Sequence, residues 1–534
     1  MLRGVGAVHR QLARVRPSAA SVARRYTIPV WQARAVRLAA LHQALAAGHS
    51  IRAFDTFLDV AQHDPAALTS TELRSMLRML MRMRPRTSDV MDRVLVVIEQ
   101  AKRAHRTFLH RSSPADTLVL TELTHTLQDA SLWNALLTSA RSQRHDAPLS
   151  ALEDLLDLFV AAESTVAAIP PPATPSASPT FPDTVSYNLL LHAIVRSIPR
   201  RGAAHPRRAR HTRAASTSWA DTLRYQIRTA PFSAAAAEKY FEATWAHMAA
   251  CTTTAPSLLS WCTRLALYTR LGRLEQVQAC VRDLFARGLG SMDVINAAIS
   301  AYAALAPAHA RPALPHTVQS VYDALQAHAH GQPLPASAHA VLEQVLGTST
   351  LPALSVPDRT TYAVVIKALV EAGDLSGALH VLQDRVAALA GALPPTWDLY
   401  HTLFQGFARF GLRAQRQMGV DAPPPGAWTL QGKGAWHIFA LHELFEGYLR
   451  VEPPSNVLER CVPPPSPRAL AQVLAALRQV SSDDRAYVGT QWARLMAKLD
   501  APPWQRVRLD TRTEHALHAL SVPRSVSALA DSTH

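Results

Sequence analysis

Apolar residues recur three and four positions apart along most of the chain, in runs of about 12 to 17 residues broken by Gly, Pro or Asp. The strict alternation that marks β-strands is almost absent. The clearest stretch runs from Ser257 to Leu289. Leu258, Trp261, Leu265 and Tyr268 share one helix face, and Gly272 supplies the left-handed residue that ends it. Leu274, Val277, Val281, Leu284 and Phe285 line a second helix that stops at Gly288. Pro357 to Val386 repeats the design. Asp358 is placed to cap a helix faced by Tyr362, Val365, Ile366 and Leu369, Gly373-Asp374 makes the turn, and Leu375, Leu379 and Leu382 continue on the next helix. Neither hairpin can bury its stripe alone, so stacking against neighbours of the same kind is the expected solution.

The register agrees. Trp261 to Ile295 spans 34 residues, Tyr362 to Tyr400 spans 38, and Ile295 to Tyr362 spans 67, near two periods. Trp133 and Tyr187 open further stretches of the same kind. The expected fold class is all-α, an α-solenoid of stacked helix–turn–helix repeats. Composition shifts divide it into degenerate N-terminal repeats over 27–168, a Pro-rich loop over 169–182 and a repeat array over 183–410 with a basic insertion at 199–218. A loop over 411–433, C-terminal repeats or a cap over 434–500 and a tail over 501–534 follow.

Charge changes the picture at the N-terminus. From Met1 to Phe54 there is no acidic residue, while Arg3, Arg10, Arg14, Arg16, Arg24 and Arg25 are interleaved with Leu2, Val5, Val8, Leu12 and Val15 at roughly helical spacing. That is the composition of a mitochondrial presequence, expected over 1–26 with cleavage after Arg24-Arg25-Tyr26, and it places the mature chain in the matrix. Elsewhere the net charge of +15 says less, because only five basic residues are Lys and an Arg and Ala bias can follow base composition. The most apolar stretch, Leu152 to Ile169, contains Glu153, Asp154, Asp157 and Glu163, so no membrane span is expected. Four cysteines without a C-x-x-C pair support neither a disulfide scaffold nor a zinc ribbon.

PDTVSYNLLLHAIV from Pro182, PDRTTYAVVIKALVEAGDLSGALHVL from Pro357 and the Trp261 unit resemble pentatricopeptide repeats of the organellar RNA-binding type. The tetratricopeptide repeat shares the period, but its Trp, Gly-Tyr and distal Pro pattern is not in register here. The resemblance is firmest over 250–410 and weaker over 131–197. It implies single-stranded mitochondrial RNA lying on the first helices, about one base per repeat. The reading residue would follow the Tyr-like position, which here gives Asn134, Asn188, Cys262, Asn296, Ala363 and His401. By the same resemblance the last residue of each repeat assists: Ser257 for Asn188, Ser291 for Cys262 and Thr396 for Ala363. Asn at the reading position goes with pyrimidines in the family. Two residues before the Tyr-like position the family places an aliphatic wedge. Val185 and Leu259 comply, while Asp293, Thr360 and Asp398 depart from it.

The insertion carries Arg200, Arg201, Arg207, Arg208, Arg210 and Arg213 with no acid between Asp183 and Asp221. It reads either as a phosphate-contacting arm or as a solvated loop enriched in Arg. No catalytic constellation emerges. His442-Glu443 and Glu446 lack the second His of a zincin, His515 and His518 lack a third ligand, and Asp483-Asp484 stand where they would cap a helix. A non-catalytic protein with no cofactor or metal is expected, acting in transcript stability, processing or translation. The alternative is a helical-repeat interaction scaffold bound to the mitochondrial ribosome or a respiratory-complex assembly factor.

Overall fold

The computed structural model describes residues 30–83, 88–110, 113–142, 148–169, 181–198, 218–229, 232–251, 255–352, 355–388, 397–416, 428–430, 435–451, 465–500 and 509–520. The presequence and the six arginines of the insertion lie outside these residues, as does Thr396. The described chain is built of α-helices with one short strand pair, and it divides into two compact units at Thr263/Arg264.

The first unit comprises α1 (Val30–Ala46), α2 (Ser50–His63), α3 (Ser70–Arg82), α4 (Ser88–Leu109), α5 (Pro114–Gln128), α6 (Ala130–Ser142), α7 (Pro148–Ala167), α8 (Thr184–Ser197), α9 (Trp219–Thr229), α10 (Ala234–Ala250) and the start of α11 (Leu258–Leu271). α6 packs on α7 and on α8, and α8 packs on α10, so α6 and α8 are consecutive leading helices with α7 as the return. α9 is an additional helix seated on α7, where Arg224 and Arg228 both reach Asp157, at 3.3 and 2.6 Å. The core between the leading helices is aromatic. Phe159 stands 5.0 Å from Phe181 and 5.8 Å from Tyr187 between ring centroids, and the buried Trp133 indole donates to the Leu127 carbonyl at 2.7 Å.

The second unit continues with α12 (Leu274–Ala286), α13 (Met292–Leu305), α14 (Leu314–Ala329), α15 (Ala336–Leu346), α16 (Arg359–Glu371), α17 (Leu375–Ala388), α18 (Trp397–Phe410), α19 (Ile438–Leu449), α20 (Pro467–Val480), α21 (Arg485–Asp500) and α22 (Thr511–Ala519). Leading helices α13, α16, α18 and α20 pack each on the next, and α14, α17, α19 and α21 return behind them. Each unit is thus a stack of helix hairpins, the solenoid arrangement that the periodicity implies. The turn chemistry is as expected: Gly272, Gly288 and Gly373 have φ of +77°, +70° and +85°, the left-handed conformation that glycine adopts without steric cost. Asp358 caps α16 in a capping box with Thr361, and Asp484 caps α21 by accepting from the Tyr487 amide at 2.8 Å.

Three features differ from expectation. The 67 residues from Ile295 to Tyr362 are one step of the stack, not two: α13 packs directly on α16, and α15 is an inserted helix against α12, α13 and α14. Hydropathy alone cannot separate an inserted helix from a full repeat, since both carry a 3.6-residue stripe. Within the expected 411–433 loop, β1 (Ala414–Arg416) pairs antiparallel with β2 (Trp428–Leu430), Ala414 opposite Leu430. The expected tail holds α22, capped by Asp510 accepting from the Thr513 amide at 2.7 Å and anchored by the fully buried Leu517.

Close packing inside the second unit gives a direct test. A Cβ at Gly406, in α18, would come within 2.3 Å of the Trp436 ring and 2.8 Å of Val370. Gly406→Ala should therefore lose about 1–3 kcal/mol to overpacking, outweighing the helix-propensity gain of about 1 kcal/mol. A lowered urea midpoint checks it.

Candidate functional site

The Tyr-like positions Trp133, Tyr187, Trp261, Ile295, Tyr362 and Tyr400 are all buried, which fixes the rotation of each leading helix and hence the direction of the residue that follows. In three places that residue reaches across to the N-terminus of the next leading helix. Asn134 of α6 donates from Nδ2 to both oxygens of Asp183, the N-cap of α8, at 3.1 Å. Asn188 of α8 donates to Ser257 Oγ, just before α11, at 3.1 Å. Asn296 of α13 donates to Asp358 Oδ1, the N-cap of α16, at 3.3 Å.

A hydroxyl on the third residue of the receiving helix stands at each bridge and completes two of them. Ser186 Oγ lies 2.8 Å from Asn134 Oδ1, and Ser260 Oγ donates to Asn188 Oδ1 at 2.6 Å. Thr361 Oγ1 turns instead to Asp358 Oδ1 at 2.8 Å. Ser186, Ser260 and Thr361 are fully buried, and Asn188 and Asn296 are only 7% and 3% exposed. The amides of Asn188 and Asn296 are therefore engaged inside the protein, while Asn134 is half-buried. In the first unit they are flanked by exposed aliphatics: Val185 stands before Asn188 on α8, 51% exposed, and Leu259 at the same register of α11, 62% exposed.

The remaining candidates are placed differently. His401 of α18 is buried and lies 2.9 Å from the Tyr448 hydroxyl of α19, within its own hairpin, and the Tyr448 ring in turn packs on Trp397, Tyr400 and Phe404. Among the described residues its hydrogen bond stays within the hairpin, to Tyr448, instead of reaching the next leading helix. Burial pushes its imidazole down to about 4, so it is neutral near pH 7. Cys262 and Ala363 are half-buried on α11 and α16. Ser291 is the N-cap of α13 but makes no capping bond, and its Oγ is buried without a partner among the described residues. Cys262 and Ser291 fall in different units, and Ala363 has its expected helper, Thr396, outside the described residues.

Of the pairs drawn from the sequence, the structure brings Asn188 and Ser257 together. The sequence reading missed Asp183 and Asp358 as partners of Asn134 and Asn296, and Ser186, Ser260 and Thr361 as the third members. The signal was present. Five residues before the readers Asn188, Cys262 and Ala363 stand Asp183, Ser257 and Asp358, each of which accepts from an amide of its own helix and from the preceding asparagine.

The acids set aside as catalytic candidates have structural uses. Glu446 holds Arg494 through both carboxylate oxygens at 2.6 and 3.0 Å, which keeps its carboxyl below the usual range. Asp483 pairs with Arg478 at 2.6 Å. Among the described residues no three potential ligands gather around a metal-sized space, and no helix is long and apolar enough to cross a membrane.

Two outcomes follow from the site's electrostatics. Asn296→Asp would set a second carboxylate against Asp358, whereas Asn188→Asp would face only the hydroxyls of Ser257 and Ser260. The first should be the more destabilising by about 1–2 kcal/mol, with the gap narrowing as the pH falls into the carboxylate range and the facing pair takes up a proton, in urea titrations at pH 7 and pH 4. His401 favours the neutral form in the fold, so its contribution is complete above its ordinary value of 6.5 and is lost progressively as the pH falls from there towards about 4. His401→Gln should flatten that part of the stability–pH curve.

No family model and no curated protein matches the chain. Among solved structures it is similar to the pentatricopeptide repeat protein PPR10 in complex with an 18-nt psaJ RNA element, at 13% identity over 96% of this chain and 82% of that one, with a TM-score of 0.19. It is also similar to PPR10 from maize, at 14% identity over 92% and 77% of the two chains, with a TM-score of 0.15. TM-scores this low carry no argument about this chain.

Proposed function

We propose that the chain is a pentatricopeptide-type RNA-binding protein of the mitochondrial matrix that acts, without catalysis of its own, in transcript stability, processing or translation. The observation that carries this reading is the recurrence of one polar station, an asparagine amide against a cap oxygen, between successive leading helices. A purely structural brace has no need of exposed aliphatics at a fixed register beside it, yet Val185 and Leu259 occupy such positions around Asn188. An unstacked base is flat and apolar on its faces and polar at its edge. It would find apolar contacts at Val185 and Leu259 and hydrogen-bonding groups at the amide below. The basic, acid-free start of the chain supports import, and the Arg200–Arg213 segment supports backbone attraction.

One observation favours the scaffold reading for the second unit. At the wedge register of α13 and α18 stand Asp293 and Asp398, both exposed, with Asp398 held by Arg359 at 2.9 Å across two leading helices. Acids there oppose a phosphate backbone, so the second unit's row is better suited to a protein than the first unit's.

Crosslinking RNA to the protein in intact mitochondria and sequencing what is attached tests the proposal: discrete transcript sites are expected, and ribosomal proteins recovered without such sites would favour the scaffold. In vitro, affinity should fall with salt. Replacing the six insertion arginines by Ala should flatten the log–log slope by up to about 4, at roughly 0.7 per phosphate contact. An unchanged slope would remove the insertion from the mechanism.

A further inference from the structure

The three stations are built alike but wired differently. At Asn188 the groups form a closed, neutral ring: Asn188 Nδ2 donates to Ser257 Oγ at 3.1 Å, the two serine hydroxyls are 3.1 Å apart, and Ser260 Oγ returns a bond to Asn188 Oδ1 at 2.6 Å. Ser257 and Ser260 also accept each other's backbone N–H, at 3.0 and 3.3 Å, so the ring is anchored to the start of α11. At Asn134 the single proton of the Ser186 hydroxyl has two acceptors in reach, Asn134 Oδ1 at 2.8 Å and Asp183 Oδ1 at 2.7 Å. At Asn296 the Thr361 hydroxyl is committed to Asp358, and Asn296 Oδ1 is buried with no hydrogen-bond partner among the described residues.

A carboxylate can only accept, so Asp183 and Asp358 hold the amide nitrogen towards themselves. What varies is the oxygen. It is satisfied at Asn188, contested at Asn134 and without a donor at Asn296 among the described residues, and the hydroxyl on the third residue of the receiving helix makes the difference. A buried carbonyl oxygen without a donor is costly and is relieved by any ligand that brings an N–H to it.

We propose that Ser186, Ser260 and Thr361 are positioning residues that set base selectivity, by deciding whether the amide oxygen of the neighbouring reader is available to a base. The proposal rests on the RNA-reading function above. Where the hydroxyl caps the oxygen, a base meets only the remaining N–H of the amide. Where the hydroxyl turns to the carboxylate, a base edge with a donor beside an acceptor can use both amide atoms. None of these three residues touches the base in this account; each acts through the asparagine.

The test is selection from a pool of random 20-nucleotide single-stranded RNA by the full-length protein, in wild-type form and as Ser260→Ala, Ser260→Thr and Ser186→Ala. Ser260→Ala should change the base preference at one RNA position by roughly tenfold and leave the other positions as they were. Ser260→Thr keeps the hydroxyl, and the buried Thr361 shows that this register accommodates it, so the wild-type preference should be retained. Ser186→Ala should move the preference at the adjacent nucleotide, an independent check should Ser260→Ala fold poorly. Unaltered preferences in both Ala variants, a uniform change across all positions, or a Ser260→Thr that behaves like Ser260→Ala would overturn the proposal while leaving RNA binding intact. Failure of the wild-type protein to enrich any sequence would overturn the RNA reading and this proposal with it.

Discussion

A helix begins with backbone N–H groups that have no partner within it, and a stacked array exposes one such end at every step. In this protein the cap that answers those groups is shared between neighbours. Asp183 accepts from the Ser186 amide of its own helix and from Asn134 of the helix before; Asp358 accepts from the Thr361 amide and from Asn296. One side chain thus starts a helix and ties it to its predecessor. Because the Tyr-like residue beside each asparagine is buried between the helices, the bridge forms only when the apolar stripe is in register. Packing sets the rotation, and the hydrogen bond specifies the neighbour.

The same economy gives the array its candidate chemistry. A cap oxygen, an amide and a hydroxyl converge at each bridged step because capping requires the first and third, and register supplies the second. Variation at the cap, Ser257 against Asp183 and Asp358, then alters the electrostatics of a station without altering its backbone. His401 shows the limit of this: Tyr448 claims the side chain, the imidazole stays neutral, and the step loses its bridge. The exposed Asp293 and Asp398 mark a second change along the chain, from apolar to acidic at the wedge register.

Much of the fold was legible because its signals are local. Gly272, Gly288 and Gly373 announce helix ends, Asp358 and Asp484 announce starts, and the stripes between them have one period. Long-range choices were not legible. Nothing in the hydropathy of 292–358 distinguishes α15 as an insertion, since its stripe is filled by the same residue types as a repeat helix. Asn134 could be singled out by register, but its tie to a residue 49 positions away depends on α7 returning the chain to the same edge. His401 was singled out by the same rule and is turned aside by Tyr448, 47 residues on. The strand pair of Ala414–Arg416 with Trp428–Leu430 is too short for alternation to register.

Asn134 and Asp183 bind one another across a repeat boundary, and a double-mutant cycle on that pair reads the strength of the shared cap. Asn134→Ala and Asp183→Ala each lose stability for several reasons, including the cap itself, but only their coupling isolates the bridge. A coupling energy of about 1–3 kcal/mol by urea denaturation is the predicted result, as for a half-buried hydrogen bond to a charged acceptor. Strict additivity of the two substitutions would contradict it.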